Sequence, residues 1–150
     1  MDGMERALQE AEQALREGEI PVGAALYRGE TLIWADHNRT EQRKDPTAHA
    51  EILCLRGAGG ELGNWRLKDC ILYVTLEPCP MCAGALVQAR IDRVYVGCMN
   101  PKAGCAGSVL NLLQVPAFNH QVKITDGILE EECRALLQDF FRQLRKNKKQ

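Results

Sequence analysis

Apolar positions along this chain follow two periods, and the changes between them divide it into elements. Met4, Leu8, Ala11 and Leu15 fall at steps of four, three and four, the spacing of one helix face. Gly18 follows as a stop. Residues 22–27 and 31–36 read as two strands, and Arg28-Gly29-Glu30 between them makes a hairpin. Asp45-Pro46-Thr47 opens a second helix that runs to about Arg56, where Gly57, Gly59, Gly60 and Gly63 break it into a loop. Residues 71–76 are apolar and β-rich, as in a strand buried on both faces. A helix over about 79–90 and a second buried strand at 94–96 come next. Residues 100–108 are mostly small and read as a loop, followed by a short helix around 109–113 and an edge strand at 122–125. The last helix carries an apolar stripe of Leu129, Cys133, Leu136, Leu137, Phe140, Phe141 and Leu144. Core packing accounts for at least one of the two phenylalanines. Glu130, Glu131 and Glu132 lie at its start and basic residues at its end, both matched to the helix dipole.

This order predicts an α/β fold: a central mixed sheet with helices on both faces. A length of 150 residues suits one domain over 1–150 with one core. Apolar residues at 45% and charged residues at 26% are an ordinary globular balance. No apolar run is long enough for a membrane span and no basic-then-apolar leader opens the chain, so the expected compartment is the cytoplasm.

Charge adds little at first. The formal net charge of −1 gives no general attraction to nucleic acid. Arg142, Arg145, Lys146, Lys148 and Lys149 form a basic tail without an acid among them, which by itself reads as a solvated helix end. Seven cysteines, at 54, 70, 79, 82, 98, 105 and 133, are an odd number. With no secretory leader they are expected as reduced thiols, some of them free to hold metal.

The chemistry concentrates in two short motifs. Cys79-Pro80-Met81-Cys82 places two thiols on one face at the start of a helix. There the helix dipole favours the thiolate form. Alone, this pair fits a redox site, a structural zinc site or half of a catalytic one. His49-Ala50-Glu51 supplies the other half: His49 as a third ligand and Glu51 as a carboxylate that is not one. Positions i and i+2 do not share a helix face, so His49 belongs at an irregular first turn. One histidine and two cysteines make a three-ligand zinc site with a position left for water, the catalytic form rather than the closed structural one. Cys54, Cys70, Cys98, Cys105 and Cys133 read as small buried apolar residues, and His37 and His120 as structural or surface residues. The combination H-x-E with P-C-x-x-C, here His49–Glu51 and Pro78–Cys82, is the signature of zinc deaminases of nucleobases. It implies water activated by zinc, with Glu51 carrying protons.

Beyond that signature the chain resembles the bacterial tRNA adenosine deaminases, which convert the wobble adenosine of an anticodon loop to inosine. The resemblance runs through Ile20-Pro21-Val22-Gly23-Ala24, Asn38-Arg39, Asp45-Pro46-Thr47-Ala48-His49-Ala50-Glu51 and Tyr73-Val74-Thr75-Leu76-Glu77-Pro78-Cys79. It continues through Cys82-Ala83-Gly84-Ala85, Lys102-Ala103-Gly104-Cys105-Ala106-Gly107-Ser108, Asn119-His120 and Phe140-Phe141-Arg142. It implies the three-layer α/β/α cytidine-deaminase-like fold with a five-stranded mixed sheet, one Zn2+ per subunit held by His49, Cys79 and Cys82, and a homodimer. It also implies that Asn38 hydrogen-bonds the purine, that the Ala48 backbone N–H faces the base and that Val22 forms an apolar wall. The loop carrying Asn100 and Lys102 would contact substrate. Phe141 and Arg142 on the last helix would stack on and neutralise an anticodon stem-loop. The family commonly has an acidic residue where this chain has Asn100, and that exchange bears on how strictly a ribose 2′-OH is read. Two rivals stand beside this reading. A free-base guanine or cytosine deaminase shares the zinc motif, and a noncatalytic zinc-stabilised nucleic-acid-binding module would need a fourth ligand but not Glu51.

Overall fold

A computed structural model describes residues 2–148. Lys149 of the basic tail lies outside the described residues. The elements in chain order are α1 (Gly3–Arg16), β1 (Gly23–Arg28), β2 (Thr31–His37), α2 (Thr40–Arg43), α3 (Ala50–Leu62), β3 (Cys70–Leu76), α4 (Pro80–Gln88), β4 (Arg93–Cys98), a 3-10 turn (Leu112–Gln114), β5 (Lys123–Thr125) and α5 (Glu130–Lys148). The five strands form one mixed sheet in the order β2-β1-β3-β4-β5. β1 is antiparallel to both of its neighbours, while β3, β4 and β5 run parallel.

Alternation along the central strands feeds two cores, which is why those strands carry so few polar residues. Ala24, Leu26, Leu72, Val74, Val94 and Val96 face Ala50, Cys54 and Ala58 of α3 and Ala83 and Leu86 of α4. The residues between them, Ala25, Tyr27, Tyr73 and Tyr95, face Met4 and Ala7 of α1 and Cys133 of α5. On that side the Tyr73 and Tyr95 rings stack at 4.6 Å and Tyr27 meets Tyr73 edge-on at 5.6 Å. The result is the expected three-layer α/β/α arrangement. Among the described residues no helix is long and apolar enough to cross a membrane.

Several local expectations change. The break expected at Gly57 does not occur: α3 continues to Leu62 and stops at Gly63, whose φ of 66° is the left-handed conformation that glycine adopts freely. Each glycine costs a helix about 1 kcal/mol, but the Trp34 ring of β2 occupies the space where a Gly57 side chain would stand. Tertiary packing therefore overrides propensity. The helix expected from Asp45 starts later, at Ala50, because Asp45 folds 45–48 into a turn. Its carboxylate accepts the Thr47 N–H at 2.8 Å and the Thr47 hydroxyl at 2.7 Å. The extra helix α2 begins where the buried Glu19 carboxylate accepts the N–H groups of Glu41 and Gln42 at 3.0 and 2.8 Å. The short helix near 109–113 is only the 3-10 turn Leu112–Gln114. Along α5, Cys133 is buried, but Phe141 and Leu144 are each 41% exposed, so the apolar stripe outruns the body it packs on.

Candidate active site

Two helix starts meet at one corner of the molecule, beside the carboxyl ends of β3 and β4. His49 is the residue before α3, with φ −78° and ψ 152°, an extended conformation that turns its side chain away from the helix surface. Cys79 holds the same place before α4, with φ −75° and ψ 175°, and Pro80 follows as the first helical residue. Cys82 lies in the first turn of α4. These two caps bring Cys79 Sγ to 3.6 Å and Cys82 Sγ to 3.5 Å from His49 Nδ1. All three donor atoms lie within 4.8 Å of one another. Tetrahedral zinc bonds to sulfur and nitrogen set ligand atoms about 3.6 Å apart, so one imidazole and two thiolates at these spacings fit a zinc ion.

The electrostatics make one of the two thiols the anion of the set. Cys79 is lowered to about 4, first by the hydrogen bond from Cys82 and then by His49. Cys82, holding the proton of that bond in a buried position, is pushed upward. The hydrogen bond with Cys79 raises His49. Glu51 lies in the first turn of α3, 4% exposed. Burial raises its carboxyl to about 7.

In front of this corner lies a cavity of about 260 Å³. His49, Ala50, Glu51 and Cys79 form its floor, Ile20, Val22, Asn38 and Thr40 one wall, and Leu76, Glu77, Asn100 and Ala103 the other. The second histidine–carboxylate cluster of the molecule is closed. His37 Nδ1 meets Glu10 Oε1 at 2.8 Å and Nε2 meets Glu17 Oε1 at 2.9 Å, so neither ring nitrogen has a lone pair free for an ion.

The chain is similar to known deaminases over nearly its whole length. A family model of MafB19-like deaminases matches residues 1–145. A tRNA-specific adenosine deaminase of Bacillus subtilis (strain 168) is 49% identical over 146 residues, covering 97% of this chain and 91% of that protein. The chain belongs to the tRNA-specific adenosine deaminase family. A solved structure from a study of A-to-I editing by tRNA:A34 deaminases at the wobble position of transfer RNA superposes with a TM-score of 0.87. It is 42% identical, and the match covers 90% of this chain and 98% of that one. A guanine deaminase from Bacillus subtilis is more distant, with a TM-score of 0.64 at 31% identity over 97% of this chain and 95% of that one.

Against this deaminase frame, the residues expected to touch substrate divide into three groups. Val22, Asn38 and Asn100 line the cavity. Asn38 is 5% exposed; its backbone N–H donates to Val22 O at 3.0 Å, and its Oδ1 accepts the Thr40 N–H at 3.4 Å. Asn100 Oδ1 accepts the N–H groups of Lys102 and Ala103 at 3.2 and 3.3 Å, an acceptor role that folds its own loop. The Ala48 N–H donates to Asp45 O at 3.1 Å, and Ala48 is not among the residues that line the cavity. Lys102, Phe141 and Arg142 are exposed and lie outside the cavity lining. Arg142 pairs with Asp139 at 3.2 Å.

Sequence reasoning assigned no role to Ile20, Thr40, Ala50, Leu76, Glu77 or Ala103, all of which line the cavity. For Glu77 a signal existed in its place directly before Pro78-Cys79.

Proposed function

We propose that this chain, a single deaminase domain, hydrolyses the wobble adenosine (position 34) of a tRNA anticodon stem-loop to inosine, with release of ammonia. The observation that carries the reading is the convergence of His49, Cys79 and Cys82 within ligand distance of one another, with His49, Cys79 and the buried Glu51 lining one cavity of about 260 Å³. The kinship with tRNA-specific adenosine deaminases supplies the substrate class.

His49 Nδ1, Cys79 Sγ and Cys82 Sγ would hold one Zn2+. Zinc bound there supplies a Lewis acid that brings the pKa of a coordinated water near neutrality. Glu51 receives the proton of the attacking water and passes protons to the purine ring nitrogen beside the reacting carbon and to the departing amine. Its carboxyl, raised to about 7, sits in the range where it can both take and give a proton. Val22, Ile20 and Leu76 keep the base in an apolar slot. The Asn38 carboxamide offers the purine edge a donor and an acceptor. Phe141 and Arg142, exposed on α5, are available for stacking and phosphate contact outside the cavity. Homodimerisation is part of the reading, supported by the apolar groove of Leu55, Trp65, Leu67, Ala85 and Ala89 between α3 and α4. A tRNA substrate goes with a cytoplasmic location.

Ammonia release is measured with the zinc-loaded protein on an anticodon stem-loop carrying wobble adenosine, and separately on free guanine and free cytosine. Turnover of the stem-loop alone is expected. Turnover of a free base, with the stem-loop left intact, overturns the reading in favour of the free-base rival.

A further inference from the structure

Glu77 is 2% exposed, lies between β3 and the metal-ligand segment, and touches the substrate cavity. Both of its oxygens are fully used. Oε1 accepts the Asn100 N–H at 2.8 Å and the Ser108 hydroxyl in a short bond. Oε2 accepts the Ala106 N–H at 2.9 Å and the Ser108 N–H at 3.0 Å. All four donors come from one segment, residues 100–108, which belongs to no helix or strand. The fit is close: a side chain at Gly104 would stand on Glu77 Oε1 and 2.6 Å from Asn100 O. One further bond fastens the same segment, from Cys105 N–H to Pro78 O at 2.8 Å, and Glu77 itself is tied to the end of β4 by its N–H donating to Cys98 O at 2.9 Å.

We propose that Glu77 is a positioning residue: its buried carboxylate is the template on which residues 100–108 fold, and so it sets the cavity wall formed by Asn100 and Ala103. The residue type follows from the geometry. An ionised carboxylate is an acceptor only, with about four lone-pair positions, and here four donors meet them. A glutamine would turn an N–H toward two other N–H groups and leave buried donors unpaired. Glu77 does not carry protons for the reaction, because no lone pair is left for a water or a substrate atom. Its effect passes through the backbone of the loop, whereas Glu51 acts at the reacting atoms. Since Glu77 stands two residues before Cys79, one residue joins the metal-ligand segment to the substrate wall.

Where it concerns tRNA, the proposal rests on the function proposed above. Its test therefore has one arm that needs no substrate. Amide hydrogen exchange is compared between the wild type, Glu77→Gln and the milder Ser108→Ala, which removes only the hydroxyl donor. The proposal expects faster exchange at Asn100, Ala106 and Ser108, with the amides of α3 and α4 unchanged and one zinc still bound per chain. Exchange unchanged over 100–108, or raised across the whole molecule, overturns it. The second arm measures steady-state kinetics on the anticodon stem-loop. Loss of the wall is expected to raise KM about tenfold or more in Glu77→Gln and less in Ser108→Ala, with kcat per bound zinc nearly kept. A loss of kcat with KM unchanged overturns the proposal. If the wild type does not convert the stem-loop, the substrate reading fails, and the exchange arm alone decides the role of Glu77.

Discussion

Two buried glutamates face the same cavity and behave in opposite ways. Glu51 is 4% exposed and Glu77 2%, yet the Glu51 carboxyl lies the deeper of the two and feels desolvation more strongly. Burial raises Glu51 to about 7. The same force pushes Glu77 upward, but the Ser108 hydroxyl and the N–H groups of Asn100, Ser108 and Ala106 outweigh it and hold the carboxyl below the ordinary carboxylate range. Depth leaves Glu51 to desolvation, and four donors keep the shallower Glu77 charged. The floor of the cavity thus holds a carboxylate able to exchange a proton, and the wall holds one locked into the backbone.

The most severe test of this contrast exchanges each glutamate for glutamine. Glu51→Gln removes the proton carrier and is expected to lower kcat by about 10²–10⁴-fold with stem-loop affinity and zinc content kept. Glu77→Gln is expected to act on KM instead. If single-turnover rates and binding isotherms show the two variants failing in the same way, the contrast is broken. Gly104→Ala comes next. Its new methyl stands on Glu77 Oε1, so it should reproduce the raised KM of Glu77→Gln while Glu51 remains intact; an unchanged KM would show that the wall does not depend on this fit. Gly57→Ala sets a methyl against the Trp34 ring, nearly two turns along α3 from Glu51 and outside the cavity lining, and should cost about 1–3 kcal/mol of stability in denaturant unfolding. Its kcat and KM should stay at wild-type values.

The smallest effect concerns a third way of keeping buried charge, the pairing of His37 with Glu10 and Glu17. Burial acts to lower His37, but the two carboxylates overcome it and the ring is raised above 6.5. Its contribution to stability is therefore fully present below 6.5 and fades as pH rises through the folded value. Glu17 is lowered from 4.5 to about 2, by Gln13 and then by His37. Its contribution is present above 4.5 and is lost as pH falls toward 2. The stability difference between the wild type and His37→Gln should peak between 4.5 and 6.5 and shrink at alkaline pH. A difference flat from pH 5 to 9 would show that the charge pairing contributes nothing.

What the sequence showed and what it hid follow from the same physics. The convergence of His49, Cys79 and Cys82 and the place of Glu51 beside them were legible because the motifs pair particular side chains at particular spacings, His49 to Glu51 and Cys79 to Cys82. The three central strands, β1, β3 and β4, were legible because both of their faces are buried. The role of Glu77 was hidden because three of its four bonds go to backbone N–H groups, which every residue but proline carries. The start of α2 was hidden because its partner, Glu19, lies more than twenty residues away in sequence. The bond of the Ala48 N–H to Asp45 O was hidden because residue type does not reveal which way a backbone N–H points. The full length of α3 escaped notice because glycine content argued against it, while the contact that holds it comes from Trp34 in another element.

The central claim is that Glu51 performs the proton transfers of a wobble-adenosine deamination. Single-turnover inosine formation on an anticodon stem-loop, with excess zinc-loaded wild type or Glu51→Gln, tests it most directly. The wild type is expected to convert the adenosine fully, and the variant to bind the stem-loop equally well and yield no inosine on the same timescale. Inosine formed at the wild-type rate by Glu51→Gln would contradict the account.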